Sequence, residues 1–119
     1  MKLKKTAKLE GAQLPIIYAL GVAEVIFGQY NKPCVVTSIL DDAPQRLRVS
    51  LHQQGLAADL RTNHLNKEQG DTIIHWLRLY LEPMGYDVVD ERNRTDRAAH
   101  FHLEYQPKTP AENWITSVE

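Results

Sequence analysis

The sequence predicts an α+β domain, with two helices packed on a small, mainly antiparallel sheet. Three observations carry that expectation. Two segments, at about 13–30 and 66–82, repeat apolar residues at helical spacing. Four shorter segments rich in β-branched or apolar residues lie between and after them. The last two of these are joined by a polar turn, as a hairpin requires.

In order along the chain, Pro15 suits the first turn of a helix, where its missing N–H costs little. Leu20, Ala23, Phe27 and Tyr30 then mark one helical face, and Asn31-Lys32-Pro33 stops it. Segment 34–40, C-V-V-T-S-I-L, is short and β-branched and reads as a strand, with Cys34 as a small buried hydrophobe. Segment 41–48 is a polar loop containing a proline. Gly55 breaks the chain, and 56–61, L-A-A-D-L-R, reads as a second strand. Asn66 with Gln69 three residues on is a variant capping box. It opens the second helix, with Ile73, Leu77, Tyr80, Leu81 and Met84 on or near one face and Pro83 and Gly85 at its end. Segments 85–91 and 99–105 are the third and fourth strands, linked by the turn 92–97. A tail from 107 carries Trp114 and Ile115, which are expected to pack back on the body.

The whole chain, 1–119, reads as one domain with its core at about 13–106. Apolar residues make up 43% and charged residues 24%, enough for a single core without disulfides. Fourteen basic and fifteen acidic residues leave a net charge of -1, which argues against a protein built to hold nucleic acid. The single cysteine excludes an internal disulfide. The basic start followed by the apolar stretch 14–27 has some likeness to a signal peptide. Glu10 and Glu24 interrupt it and no small-residue cleavage pattern follows Phe27, so cytoplasmic synthesis without a leader is expected. No segment approaches the roughly 18 apolar residues of a membrane span.

Chemistry concentrates in two places, S50-L-H-Q-Q-G-L-A-A-D59 and H100-F-H102-L-E104. His100, His102 and Glu104 alternate along a strand and so share a face. Asp59 sits among apolar neighbours, where a lone carboxylate is heavily penalised and calls for a partner. His52 and Asp59 are an odd number apart and would face opposite sides of one straight strand, but Gly55 lets the chain bend between them. Zinc at a catalytic centre takes about three ligands from His, Asp, Glu or Cys and keeps a position for water. Taken by themselves these residues fit such a site or an ordinary set of polar side chains. His64, in a loop, and His75, on a helix, read as structural.

The first stretch matches the pattern Ser-x-His-x-x-Gly-x-Ala-x-Asp, and a paired His-x-His follows downstream. Over about residues 34–106 the chain resembles the zinc D-alanyl-D-alanine carboxypeptidase superfamily. That group includes the L-alanyl-D-glutamate endopeptidases of phage endolysins and the zinc-binding signalling domain of hedgehog proteins. The resemblance implies a hedgehog-like zinc-peptidase fold, with His52, Asp59 and His102 as ligands of a Zn2+ ion. His100 would then support the site or face the substrate, and Ser50 would help fix the loop that carries His52.

Many members of the group have an acid three residues before the last histidine, where this chain has Ala99. A spacing of six instead indicates Asp96, with Glu91 and Glu104 as rivals for the base. Arg48 and Arg46 are candidates for polarising the substrate carbonyl. The implied activity is hydrolysis of short peptidoglycan peptides containing D-amino acids, by a metal-activated water and a carboxylate base. The implied partner is that peptide, met at the cell wall once the protein is released; charge and hydropathy give no expectation of nucleic acid or of a membrane span, and the oligomeric state is open, with a monomer expected. Two other readings stay open: a zinc-binding module of the same fold without hydrolysis, as Ala99 suggests, and a metal-free phage structural protein.

Overall fold

The computed structural model describes residues 1–5, 7, 9–39, 56–93, 95 and 98–106 of the 119. Within them the order is β1 (Lys2–Leu3), α1 (Leu14–Gly28), β2 (Val35–Ser38), β3 (Ala57–Arg61), α2 (Lys67–Leu81), β4 (Tyr86–Glu91) and β5 (His100–Tyr105). A short 3-10 turn, Glu82–Met84, follows α2.

Helix α1 begins after an extended Gln13 with proline in its first turn, as expected. It buries Ile16, Ala19, Leu20, Ala23, Ile26 and Phe27. It ends at Gly28, two residues before the boundary the sequence suggests. There Lys32 N–H donates back to the Phe27 carbonyl at 3.2 Å, and Asn31 takes a left-handed φ of 55°, a conformation asparagine tolerates better than most residues. This reversal directs the chain into β2.

Helix α2 opens on the capping box read from the sequence. Gln69 N–H donates to Asn66 Oδ1 at 2.8 Å, and Asn66 N–H donates to Gln69 Oε1 at 3.0 Å. Ile73, Ile74, Leu77 and Leu81 form its buried face. Tyr80 and Met84, expected on or near that face, are exposed. Tyr80 instead stacks on Trp76 at the flank of the helix, with ring centroids 6.0 Å apart. Met84 lies in the 3-10 turn, off the helical register, and its sulfur accepts from the Tyr18 hydroxyl at 3.7 Å. Gly85, at φ 96°, closes the turn and starts β4.

The sheet is mixed, with strand order β1-β2-β3-β5-β4. Its pairings are antiparallel except for the parallel edge pair β1–β2. Strand β1 is an addition to the strands the sequence indicates, since two residues are too short to show a period. The β4–β5 hairpin is formed as expected, with Val88 opposite Leu103 and Glu91 opposite His100.

Both helices cover one face of the sheet. There Val36, Ala58, Leu60, Val88, Phe101 and Leu103 join the helical apolar residues in one core. Fully burying a side chain such as Phe27, Leu60 or Phe101 contributes about 1.5–3 kcal/mol each. Cys34 is 2% exposed, and burial pushes its thiol up to about 12, which leaves it protonated and inert. Tyr86 donates its hydroxyl to the Pro15 carbonyl at 2.6 Å and ties β4 to the start of α1. Among the described residues no helix is long and apolar enough to cross a membrane.

Candidate functional site

With the core on one face, alternation sends Asp59 and Arg61 of β3, His100, His102 and Glu104 of β5, and Asp87, Val89 and Glu91 of β4 to the other. Asp59 is directly opposite His102, and His100 lies opposite Glu91. Residues far apart in the chain thus meet because the register sets them on neighbouring strands.

The contacts are close. His102 Nδ1 donates to Asp59 Oδ1 at 2.7 Å, and His102 Nε2 donates to Glu104 Oε1 at 2.9 Å. Carboxylates only accept, so in this arrangement both ring nitrogens carry protons. Burial alone would lower the His102 pKa. The hydrogen bonds to Asp59 and Glu104, with the charges of those two groups, outweigh burial and lift it to about 9. His100 Nδ1 donates to the Ala98 carbonyl at 2.8 Å. Its Nε2 lies 3.1 Å from Glu91 Oε1 and 3.7 Å from Asp59 Oδ1. Since Nδ1 is committed to a carbonyl, Nε2 is the ring nitrogen that faces the two carboxylates.

The cluster is shielded without being sealed. The His100 side chain is 8% exposed, and Asp59 and His102 are 17% exposed. Asp59 and His102 both belong to the predicted ligand set, and His100 was placed beside it, so these three are brought together. His52, Ser50, Arg46, Arg48 and Asp96 lie outside the described residues, as do Trp114 and Ile115.

Glu91 and Glu104, the rival candidates for the catalytic base, have different surroundings. Glu104 accepts from His102, and Glu91 lies against His100. His64 stacks on Phe27 with centroids 6.1 Å apart and donates from Nε2 to the Pro33 carbonyl at 2.9 Å. His75 packs edge-on to Trp76. Both make these contacts outside the cluster. Arg61 was not singled out from the sequence. The signal that finds it is its spacing of two from Asp59, which places it on the same face.

The donor chemistry of Asp59, His100 and His102 is of the kind zinc takes. Tetrahedral ligands held about 2.0–2.1 Å from zinc lie about 3.3 Å from one another. The Asp59–His102 separation of 2.7 Å is instead a hydrogen-bond distance. Among the described residues no group of three or more His, Cys, Asp or Glu side chains is spaced to hold a metal. The set fits in kind: His102 Nδ1 and Asp59 Oδ1 face each other across a shared proton, and Glu104 holds the other ring nitrogen. A groove of about 720 Å³ between the helices, lined by Tyr18, Val25, Trp76 and Tyr80, lies apart from this cluster.

Among the described residues these features define an α+β class, with two helices on a five-stranded mixed sheet. Comparison with family models, curated proteins and solved structures finds no match to the chain.

Proposed function

We propose that the chain is a zinc-dependent peptidase of the D-alanyl-D-alanine carboxypeptidase superfamily with a hedgehog-like fold. It hydrolyses short peptidoglycan peptides that contain D-amino acids. One observation supports this above the rest. Asp59 and His102, assigned to the same metal from two motifs 43 residues apart, meet at 2.7 Å across the β3–β5 register. His52 would complete the ligand set.

On this reading His102 ligates through Nδ1, the nitrogen that faces Asp59, and Glu104 accepts the Nε2 proton. That second contact fixes the ring and raises its basicity, as carboxylates behind metal-bound histidines do. Glu104 is therefore a positioning residue and leaves the competition for the base. Bound zinc supplies Lewis acidity that brings the ionisation of water toward neutral pH. The Glu91 carboxylate lies against His100 beside Asp59, and as a general base it would accept the proton from water and return it to the departing amine. Glu91 is a candidate for that step beside Asp96.

The test is incubation of purified protein with muropeptides, with and without a chelator. Chelator-sensitive cleavage is expected, and His102→Ala should lose both bound metal and turnover. The saturated hydrogen bonding of His102 favours one competing reading, a metal-free cluster that joins β3 to β5. Elemental analysis separates the two: stoichiometric zinc after growth with the metal excludes the metal-free form, and its absence removes the peptidase.

A further inference from the structure

The polar face of the sheet continues past the cluster to the β1 edge. Arg61 lies opposite His100. Val36 meets Leu60 on the core side, so Val35 and Arg61 fall together on the polar side. Lys2 pairs with Val35, and Lys4 returns to the same side two residues on. At this end lies a groove of about 530 Å³ whose lining includes Lys2, Lys4, Lys32, Arg61, Asn63 and His64.

Among the described residues no acidic side chain lines the groove. Among the described residues none of its four cations meets a carboxylate, whereas Arg92 is paired with Asp90 and Asp71, and Lys67 with Asp71. Among the described residues these four cations share one groove without a counter-charge, in a chain whose net charge is -1. Histidine apart, the described lining residues include no aromatic ring of the kind on which single-stranded nucleic acid stacks. From β5 to β1 is three strand spacings, about 14 Å, the reach of roughly four extended residues.

We infer that this groove is an anion subsite for the carboxylates of a short acidic peptide that lies across the sheet to the Asp59–His102 cluster. Its role as a substrate subsite rests on the peptidase reading, while its affinity for carboxylates does not. Arg61 sits between the two regions, one strand from His100. It orients the peptide, with Lys2, Lys4 and Lys32 holding the far end.

The test titrates tricarballylate into the chelator-treated full chain at low salt, followed by NMR, with its neutral triamide and inorganic phosphate as parallel arms. Expected are saturable shifts at Val35, Arg61 and Asn63 with tricarballylate and none with the triamide. Binding should weaken roughly tenfold or more in Lys32→Gln/Arg61→Gln, whose unchanged core resonances verify folding. Absence of shifts, equal binding by the double variant, or clear preference for phosphate overturns the inference.

With an acidic peptide as substrate, the double variant should raise KM and leave kcat unchanged. It should change neither constant when the carboxylates of that peptide are amidated. Tricarballylate binding without cleavage of any peptide keeps the anion site and removes the peptidase.

Discussion

Replacing Gly70 with alanine should destabilise this protein, although the same change in an ordinary helix interior stabilises by about 1 kcal/mol. The reason is Arg92. A Cβ at position 70 would lie 3.1 Å from the Arg92 Cζ and nearer still to Nη1. That guanidinium has little room to retreat, since its side chain is 18% exposed and sits 5.4 Å over the Phe101 ring. It donates to both Asp90 oxygens, at 2.9 and 2.7 Å, and to Asp71 at 2.6 Å. The hydrogen bonds from Arg92 hold the Asp90 carboxyl well below the usual carboxylate range.

Displacing the guanidinium forfeits the two-pronged Asp90 contact, worth about 2–3 kcal/mol as a charge-assisted pair. The contact to exposed Asp71 is counted as nothing. Set against the helical gain, the net loss is about 1–2 kcal/mol, or roughly 4–8 °C in Tm. In an Arg92→Ala background the obstacle is gone, and Gly70→Ala should stabilise by about 1 kcal/mol. Urea denaturation of the four proteins of this cycle measures both signs. Stabilisation by Gly70→Ala in both backgrounds would show that Arg92 moves aside freely, and the idea of a pinned guanidinium would fail.

Asn66→Ala removes the capping box and should cost about 1 kcal/mol in denaturant unfolding, with Asn66→Gly costing a few tenths. Chelator-treated protein should lose stability as pH rises. The folded pKa of His102, about 9, is above its ordinary value, so its contribution is complete below about pH 6.5 and disappears on passing 9. The loss is at most about 3 kcal/mol, and an NMR titration placing the ring near 6.5 would contradict it. On the peptidase reading Glu104→Gln should weaken zinc binding about 10–100-fold while leaving the ligand atoms in place, and a zinc affinity equal to wild type would remove Glu104 from that role.

The elements were legible because their signals are local. Pro15, the Asn66–Gln69 box and Gly85 act on their own turns, so both helix starts and the end of α2 fall within about two residues of the expectation. Alternation told correctly that His100, His102 and Glu104 share a face. Tyr80 and Met84 were misplaced because an apolar residue at the flank of a stripe looks the same in sequence as one at its centre. Strand β1 left no trace, since its stability comes from the hydrogen bonds of Lys2 to Cys34 and Lys4 to Val36 rather than from its own residues.

The sequence by itself determined the class of fold, the burial of Cys34 and the need of Asp59 for a partner, because each follows from hydropathy or charge within a few residues. Only the tertiary structure decided that the partner is His102, that Glu91 belongs to His100, and that Arg61 and the edge lysines share their face. Those pairings depend on strand order and register, which long-range core packing fixes and no short window of residues encodes.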